Sequence, residues 1–188
     1  MTILEDIIQK DQAIFHKINT DWTHPFLDQL LPWCRESTHW YPFYFLLFAF
    51  LFYKWRNKVW KWLLFAVITI AVTDQISSSF FKPLFHRLRP CADPLIAPYA
   101  KLLLAHCSGG YSFTSSHAAN HFGIAMFFFL TLHSIMGRFK YFLFLWAGII
   151  AYAQVYVGVH YPIDIIGGTI IGLVVGLLTA KSYQKWIQ

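Results

Sequence analysis

The stretch WLLFAVITIAVTDQISSSFF, residues 62–81, runs without a break into KPLFHRLRP, residues 82–90. The first part holds one acid, Asp74, and no base, and about 20 such residues cross a bilayer core as a helix. The second part sets Lys82, Arg87 and Arg89 directly against that span. Cations at a membrane span are costly unless they reach the headgroups or meet an anion. The boundary near residue 82 therefore marks both the end of a transmembrane helix and a place where negative charge would be welcome.

The rest of the chain repeats this alternation. Of 188 residues, 57% are hydrophobic, 20% aromatic and 13% charged, a balance that belongs to membrane proteins. Four further apolar stretches can be drawn, at Ser37–Tyr53, Ser116–Met136, Tyr141–Gly158 and Pro162–Ala180. The expected fold is an all-α polytopic bundle of about five transmembrane helices preceded by an interfacial helix, a single membrane-embedded domain over 1–188. Met1–Ile18 carries Glu5, Asp6, Lys10, Asp11 and Lys17, and so lacks the apolar core of a cleavable signal peptide. Ile3, Leu4, Ile7, Ile8, Ile14 and Ile18 largely follow a helical period, which predicts an amphipathic helix lying on the outer leaflet or packed on the bundle. A second short helix is expected over Pro25–Leu31, stopped by Pro32.

Charge orients the spans. Lys54, Arg56, Lys58 and Lys61 lie between the first two, Arg138 and Lys140 between the third and fourth, and Lys181 and Lys185 after the fifth. No acid interrupts these groups, and alternating spans put all of them on one side, the cytoplasmic side by the positive-inside rule. Residues 1–36, with six acids against three bases, then lie outside, as does the loop over 82–113. The net charge of +6 is accounted for by these topological cations, so it does not point to nucleic acid.

Three polar clusters meet on that outer face. Lys82 and Arg89 are seven residues apart, and if the helix continued to Pro90 both would point the same way. Thr114 or Ser115 can cap the helix that follows, whose unpaired N–H groups attract an anion, with His117 in its first turn. His160 and Asp164 are four apart with Pro162 suited to the first helical position, so the carboxylate can orient the imidazole and leave its other nitrogen free to attack. Each cluster has a plain structural reading: a snorkelling stop, a hydrogen-bonded interfacial histidine, a helix cap. Asp74 reads more simply as a headgroup-zone carboxylate or a partner for a base. Cys91 and Cys107 share the outer loop. In an oxidising compartment they would close a loop of about 15 residues, worth about 3 kcal/mol, and otherwise they are two thiols. Cys34 is left unpaired. Gly168, Gly172 and Gly176, spaced by four, form a ridge for close helix approach within the bundle or, less simply, between two copies.

Taken together, the order Lys82…Arg89-Pro90, Thr114-Ser115-Ser116-His117, then Ala153-Gln154…His160…Asp164 resembles the type-2 phosphatidic acid phosphatase family, which shares its site with vanadium haloperoxidases. The likeness covers roughly residues 70–180 and points to the integral-membrane lipid phosphatase branch. It implies that His160 attacks phosphorus, Asp164 orients it and His117 handles the leaving-group proton. It further implies that Lys82, Arg89, Ser115 and the backbone N–H groups of Ser116 and His117 hold the phosphate oxygens. No cofactor or metal is implied, and the sequence offers no metal-ligand cluster of its own.

Two departures stand out. Thr114 and Ser116 replace the proline and glycine of the second motif, and Ala153-Gln154 replace the serine-arginine pair of the third. Gln154 keeps hydrogen-bond donors but loses a charge and a bidentate fork. The sequence offers His86 or Arg87 as substitutes for that charge. By resemblance the expected activity is hydrolysis of a lipid phosphate or diphosphate at the outer leaflet: undecaprenyl diphosphate, phosphatidylglycerol phosphate, phosphatidic acid or a lipid A phosphate. The expected setting is a bacterial inner membrane with the site on its periplasmic or exterior face. A phosphotransferase using an acceptor other than water, or an impaired lipid-binding relative, are the alternatives.

Overall fold

Thr2 opens the first helix. Its N–H donates to the Glu5 carboxylate at 2.8 Å and its hydroxyl accepts the Glu5 N–H at 3.2 Å, a reciprocal cap for α1, Ile3–His16. The computed structural model describes residues 2–187. α1 turns Asp11 and Phe15 inward and leaves Ile3, Leu4, Ile7, Ile8 and Ile14 exposed. Its apolar stripe faces outward, while Asp11 points into the protein.

A wide turn over Lys17–Asp21 leads to α2, Pro25–Arg35, so Pro32 does not end that helix as the sequence suggested. Pro32 forfeits only the bond that its missing N–H would give the Asp28 carbonyl. Burial of Leu31 and Cys34 on the inner face offsets that loss and carries the helix one more turn. The added turn ends in Arg35.

The remaining helices are α3, Tyr41–Trp55; α4, Val59–Gln75; the short α5, Lys82–Phe85; α6, Ser116–Thr131; the short α7, His133–Met136; α8, Phe142–Tyr156; and α9, Pro162–Ile187. No strand occurs among the described residues. Ser37–Phe85, which holds α3 to α5, together with His133–Tyr156 and Pro162–Ile187, are long and apolar enough to cross a membrane. α6 is shorter, about 24 Å at 1.5 Å per residue, and is the central helix, wrapped by α4, α8 and α9.

The exit from α4 departs from expectation. A wide turn over Ile76–Phe81 joins α5, which stops at Phe85, where His86 takes a left-handed conformation with φ 48°. Helical periodicity therefore does not align Lys82 with Arg89. The segment after His86 is held open instead: the Arg87 carbonyl accepts the Ser112 N–H at 2.7 Å. From this segment Arg87 reaches Asp164 at 2.8 Å and Arg89 reaches His160 at 2.9 Å.

Inside the bundle, Leu51, Val59, Trp62, Phe127, Phe128, Leu143 and Tyr183 form the core. Polar atoms buried among them are paired: Trp62 Nε1 donates to Thr131 Oγ1 at 2.9 Å, and the Thr69 and Thr179 hydroxyls are 2.7 Å apart. The basic turns lie at one end, where Lys58, His133, Gln184 and Ile187 line a common depression and Lys61 stacks on Trp186. The three polar clusters lie at the other ends of the same helices.

The glycine ridge joins α9 to α6 within one chain. A Cβ on Gly168, Gly172 or Gly176 would strike the carbonyl oxygens of Ser115, Ala119 and Gly123 respectively. These backbones can approach only because the side chains are absent. Gly172→Ala is expected to destabilise the protein by about 1–3 kcal/mol, the usual cost of overpacking. Gly148→Ala, whose Cβ would meet nothing within 4 Å, should be neutral. Thermal melts in detergent compare the two, and equal melting temperatures would contradict this packing.

Candidate functional site

α9 begins at Pro162 and places Asp164 in its first turn, fully buried. One carboxylate oxygen accepts from Arg87 at 2.8 Å; the other accepts the Tyr161 N–H at 2.8 Å and the Ser112 hydroxyl, and faces His160 Nδ1 at 3.4 Å. His160 is 2% exposed, with Ser112 Oγ at 3.3 Å from Nδ1. On its other side, Nε2 lies 2.9 Å from an amino group of Arg89. Arginine only donates, so Nε2 accepts and the ring proton sits on Nδ1, toward Asp164 and Ser112. Nε2 therefore carries a lone pair directed at the guanidinium. Burial, against the opposing pull of Asp164, lowers the His160 pKa to about 4, which keeps the ring neutral at ordinary pH.

Arg89 is 6% exposed; one amino group also donates to the Val159 carbonyl at 3.1 Å, while its Nε has no partner. A buried charged donor without a partner is costly. It is the kind of atom an incoming oxyanion would satisfy.

Ser115 is the N-cap of α6, its Oγ accepting the Ala118 N–H at 3.4 Å, so its side chain is occupied in capping. Ser116 Oγ accepts from Lys82 Nζ at 2.9 Å and lies 3.0 Å from both Ser77 Oγ and Ser78 Oγ. Lys82 is thereby held against the start of α6, where backbone N–H groups await an anion. His117 stands in that first turn within electrostatic reach of Lys82, His160 and Arg35. His121, one turn on, donates Nδ1–H to the His117 carbonyl at 2.8 Å and meets Trp146 edge-on.

Gln154 is fully buried on α8; its Nε2 donates to Ile150 O at 3.4 Å and its Oε1 accepts Arg35 Nε at 3.3 Å. Neither residue offered as a substitute for the missing arginine reaches this place. Arg87 is spent on Asp164 and on Asp11 of α1, over the Tyr161 ring at 4.1 Å; His86 packs edge-on against Tyr111. Sequence reasoning missed Arg35, Ser112, and the Asp11–Arg87 pair that braces Asp164. The available signal for Arg35 was a single arginine among acids, just before the first apolar span. Asp74 accepts from Asn120 Nδ2 at 3.4 Å and from Ser78 Oγ at 3.5 Å.

Cys91 and Cys107 form a disulfide with Cα atoms 5.7 Å apart, and Cys34 is free and buried. The bridged loop is tied to α1 and α2: Asn19 bonds the Lys101 backbone at 2.7 and 2.9 Å, and Lys101 pairs with Asp28 at 2.7 Å.

Among known proteins, the family described as the PAP2 superfamily matches residues 60–188. A lipid A 4'-phosphatase of Porphyromonas gingivalis is 33% identical over 192 residues, taking in 98% of this chain and 79% of that protein. A lipid A 4'-phosphatase of Bacteroides thetaiotaomicron is 35% identical over 174 residues, 90% of this chain and 73% of that one. The crystal structure of a transmembrane PAP2-type phosphatidylglycerolphosphate phosphatase from Bacillus subtilis superposes with TM-score 0.74 at 21% identity, covering 97% of this chain and 88% of that one, and so shares its fold.

The buried imidazole has a consequence for stability. Unfolded, His160 titrates near about 6.5, and folded near about 4. Between these values the unfolded chain binds a proton that the folded one does not, so stability is full above the upper value and is lost as pH falls toward the lower. The melting temperature should drop between pH 7 and 4.5, and more steeply in the native protein than in His160→Gln. Equal slopes would show that His160 is not held neutral.

Proposed function

The chain belongs to the PAP2 superfamily, and from that premise we propose that it is a metal-independent hydrolase of lipid phosphates that works through a phosphohistidine on His160. The reading rests chiefly on the His160 tautomer: Nδ1–H is turned to Asp164 and the Nε2 lone pair faces Arg89 at 2.9 Å. A phosphoryl group arriving there takes Arg89 away from the imidazole, pairs its idle Nε and leaves Nε2 free to attack.

In the first step Nε2 bonds to phosphorus, the bond to the leaving oxygen breaks, and His117, whose protonated form the incoming phosphate anion favours, supplies that oxygen with a proton. Asp164 stabilises the charge that the ring gains, being itself fixed by Arg87, Ser112 and the Tyr161 N–H. In the second step water attacks phosphorus, His117 takes its proton, the phosphorus–nitrogen bond breaks, and inorganic phosphate leaves. Lys82, Arg89 and the first-turn N–H groups of α6 stabilise the equatorial oxygens throughout.

Among lipid phosphates, a phosphorylated lipid A headgroup is favoured, because two relatives at 33% and 35% identity carry that activity in their names. An apolar cleft of about 470 Å³ runs from Trp40 and Cys34, beside Arg35 in the chain, past Trp146 to Met136 and Phe139 near the basic turn, and suits an acyl chain. The whole chain acts as one membrane domain, with the basic turns toward the cytosol and the site, including the 82–113 loop, on the periplasmic face of a bacterial inner membrane.

The test is phosphate release from a panel of lipid A, phosphatidylglycerol phosphate, phosphatidic acid and undecaprenyl diphosphate, in detergent with EDTA. Activity is expected to survive chelation, to be greatest on lipid A, and to fall by at least about 10⁴-fold in His160→Ala, as when a nucleophile is removed. Acid quenching during turnover should lose, and alkaline quenching should retain, a phosphoprotein that is acid-labile and base-stable. Full activity in His160→Ala would sink the proposal.

A further inference from the structure

Gln154 removes the one positive charge that the third motif should have brought to the phosphate, so the site must either work without it or obtain it elsewhere. The geometry points to Arg35 of α2 as the residue that supplies it: we propose that Arg35 is a phosphate-binding residue of this chain, held in place by Gln154. The inference rests on the reading of this site as a phosphoryl-transfer site.

Three observations carry it. First, the arginine is aimed. α2 packs on α8 through Leu31 against Ala153 and Tyr156, and Asp28 of α2 accepts the Tyr156 hydroxyl at 2.8 Å. That seating sets Arg35 directly over Gln154, whose Oε1 accepts from Arg35 Nε at 3.3 Å. The Gln154 amide is itself fixed, because its Nε2 is engaged by the Ile150 carbonyl. One side of the guanidinium is thus anchored, while its two terminal amino groups have no hydrogen bond or ion pair among the described residues. Those groups are the pair that forms a fork with phosphate oxygens.

Second, the anchor belongs to the site. The Gln154 that holds Arg35 accepts, at its backbone carbonyl, the N–H groups of Val159 and His160, each at 3.2 Å.

Third, the cations lack partners. Arg35, Arg89 and Lys82 form no ion pair among the described residues: Glu36 and Asp74 stand near but pair with none of them, and Asp164 is already paired with Arg87 and hydrogen-bonded by Ser112 and the Tyr161 N–H. An anion among them would lower their mutual repulsion. A phosphate dianion offers two charges and three terminal oxygens to three cationic side chains. On this reading the glutamine no longer touches phosphate but orients the arginine that does.

The experiment moves the charge back. In detergent with EDTA, kcat/KM for the best lipid phosphate is measured for Arg35→Gln, Gln154→Arg and the double exchange, together with the affinity of each for orthovanadate by calorimetry. Arg35→Gln is expected to lose about 10²–10³-fold in kcat/KM, the usual loss for one such donor, and to bind orthovanadate correspondingly more weakly. The double exchange, with arginine returned to α8, should regain at least about tenfold over Arg35→Gln, a part of that same loss. Gln154→Arg alone sets two guanidinium groups side by side and should not exceed the native protein. Arg35→Gln close to native in both readouts would overturn the proposal, as would a folded double exchange no better than Arg35→Gln. If native protein releases no phosphate from any lipid, the hydrolase reading fails by itself, and the orthovanadate series still decides whether Arg35 binds the anion. Should Arg35→Gln fail to fold, Arg35→Lys answers the same question: it keeps the charge without the fork, and undiminished orthovanadate affinity would refute bidentate binding.

Discussion

One buried carboxylate organises this protein. Asp164 is completely enclosed, and a charge so placed would be prohibitive without partners. It has four partners: Arg87 from the segment after α5, Ser112 from the stretch that follows the bridged loop, and the Tyr161 N–H and His160 from the turn before α9. Arg87 then reaches Asp11 of α1, whose other oxygen accepts the Ile163 N–H at 2.9 Å. Satisfying one charge thus draws the N-terminal helix, the outer loop and the start of α9 into a single arrangement. The geometry of the candidate site is a by-product of that demand, because orienting Asp164 orients His160.

The bundle beneath has to supply stiffness with little help from the hydrophobic effect, since lipid is as apolar as the helix faces it meets. Close backbone approach does this instead. α9 lies against α6 along Gly168, Gly172 and Gly176, and the first of these meets Ser115, the cap that sets where α6 begins. The register of α9 on α6 therefore fixes the distance from Asp164 and His160 to His117 and the N–H groups around it. The Asp164 carbonyl accepts the Ser115 N–H at 3.1 Å, which closes the connection at the level of the backbone. Packing in the membrane and positioning at the surface are consequences of the same helix pair.

Much of this was legible in the residues. Apolar length and the absence of strand pattern indicated helices; cation placement put the clusters on one face; His160 and Asp164 four apart, beside Pro162, indicated a helix start with an oriented imidazole. The glycine spacing announced a close approach. What escaped was of one kind, namely choices settled by partners distant in sequence. Pro32 is a helix breaker locally, but the burial of Leu31 and Cys34 outweighs it. The run after Lys82 looked helical to Pro90, but Arg87 and Arg89 are claimed by groups 77 and 71 residues away, and an extended chain serves both. Arg87 looked like a spare charge for the pocket, though a buried carboxylate had the stronger claim on it. Arg35 had no motif around it, and its meaning depends on a helix packing that no local pattern encodes.

These misses share a location that bears on how the site is built. The family match begins at residue 60, yet Asp11 and Arg35 lie before it. The matched region carries the histidines, their carboxylate and two of the cations, Lys82 and Arg89, but the segment ahead of it braces the carboxylate and presents a third cation, Arg35, over Gln154. α2 can do this only because it is clamped on α8 by Leu31 and Tyr156 and tied to the bridged loop through Asp28 and Lys101. A charge carried on α8 itself would be rigid by construction. The same charge carried on α2 is rigid only while those contacts hold, and it stands beside the apolar cleft that begins at Cys34. On the proposed reading, moving the charge from α8 to the neighbour of Cys34 sets the phosphate-binding guanidinium beside the apolar cleft, so that what fills the cleft bears directly on where the guanidinium sits.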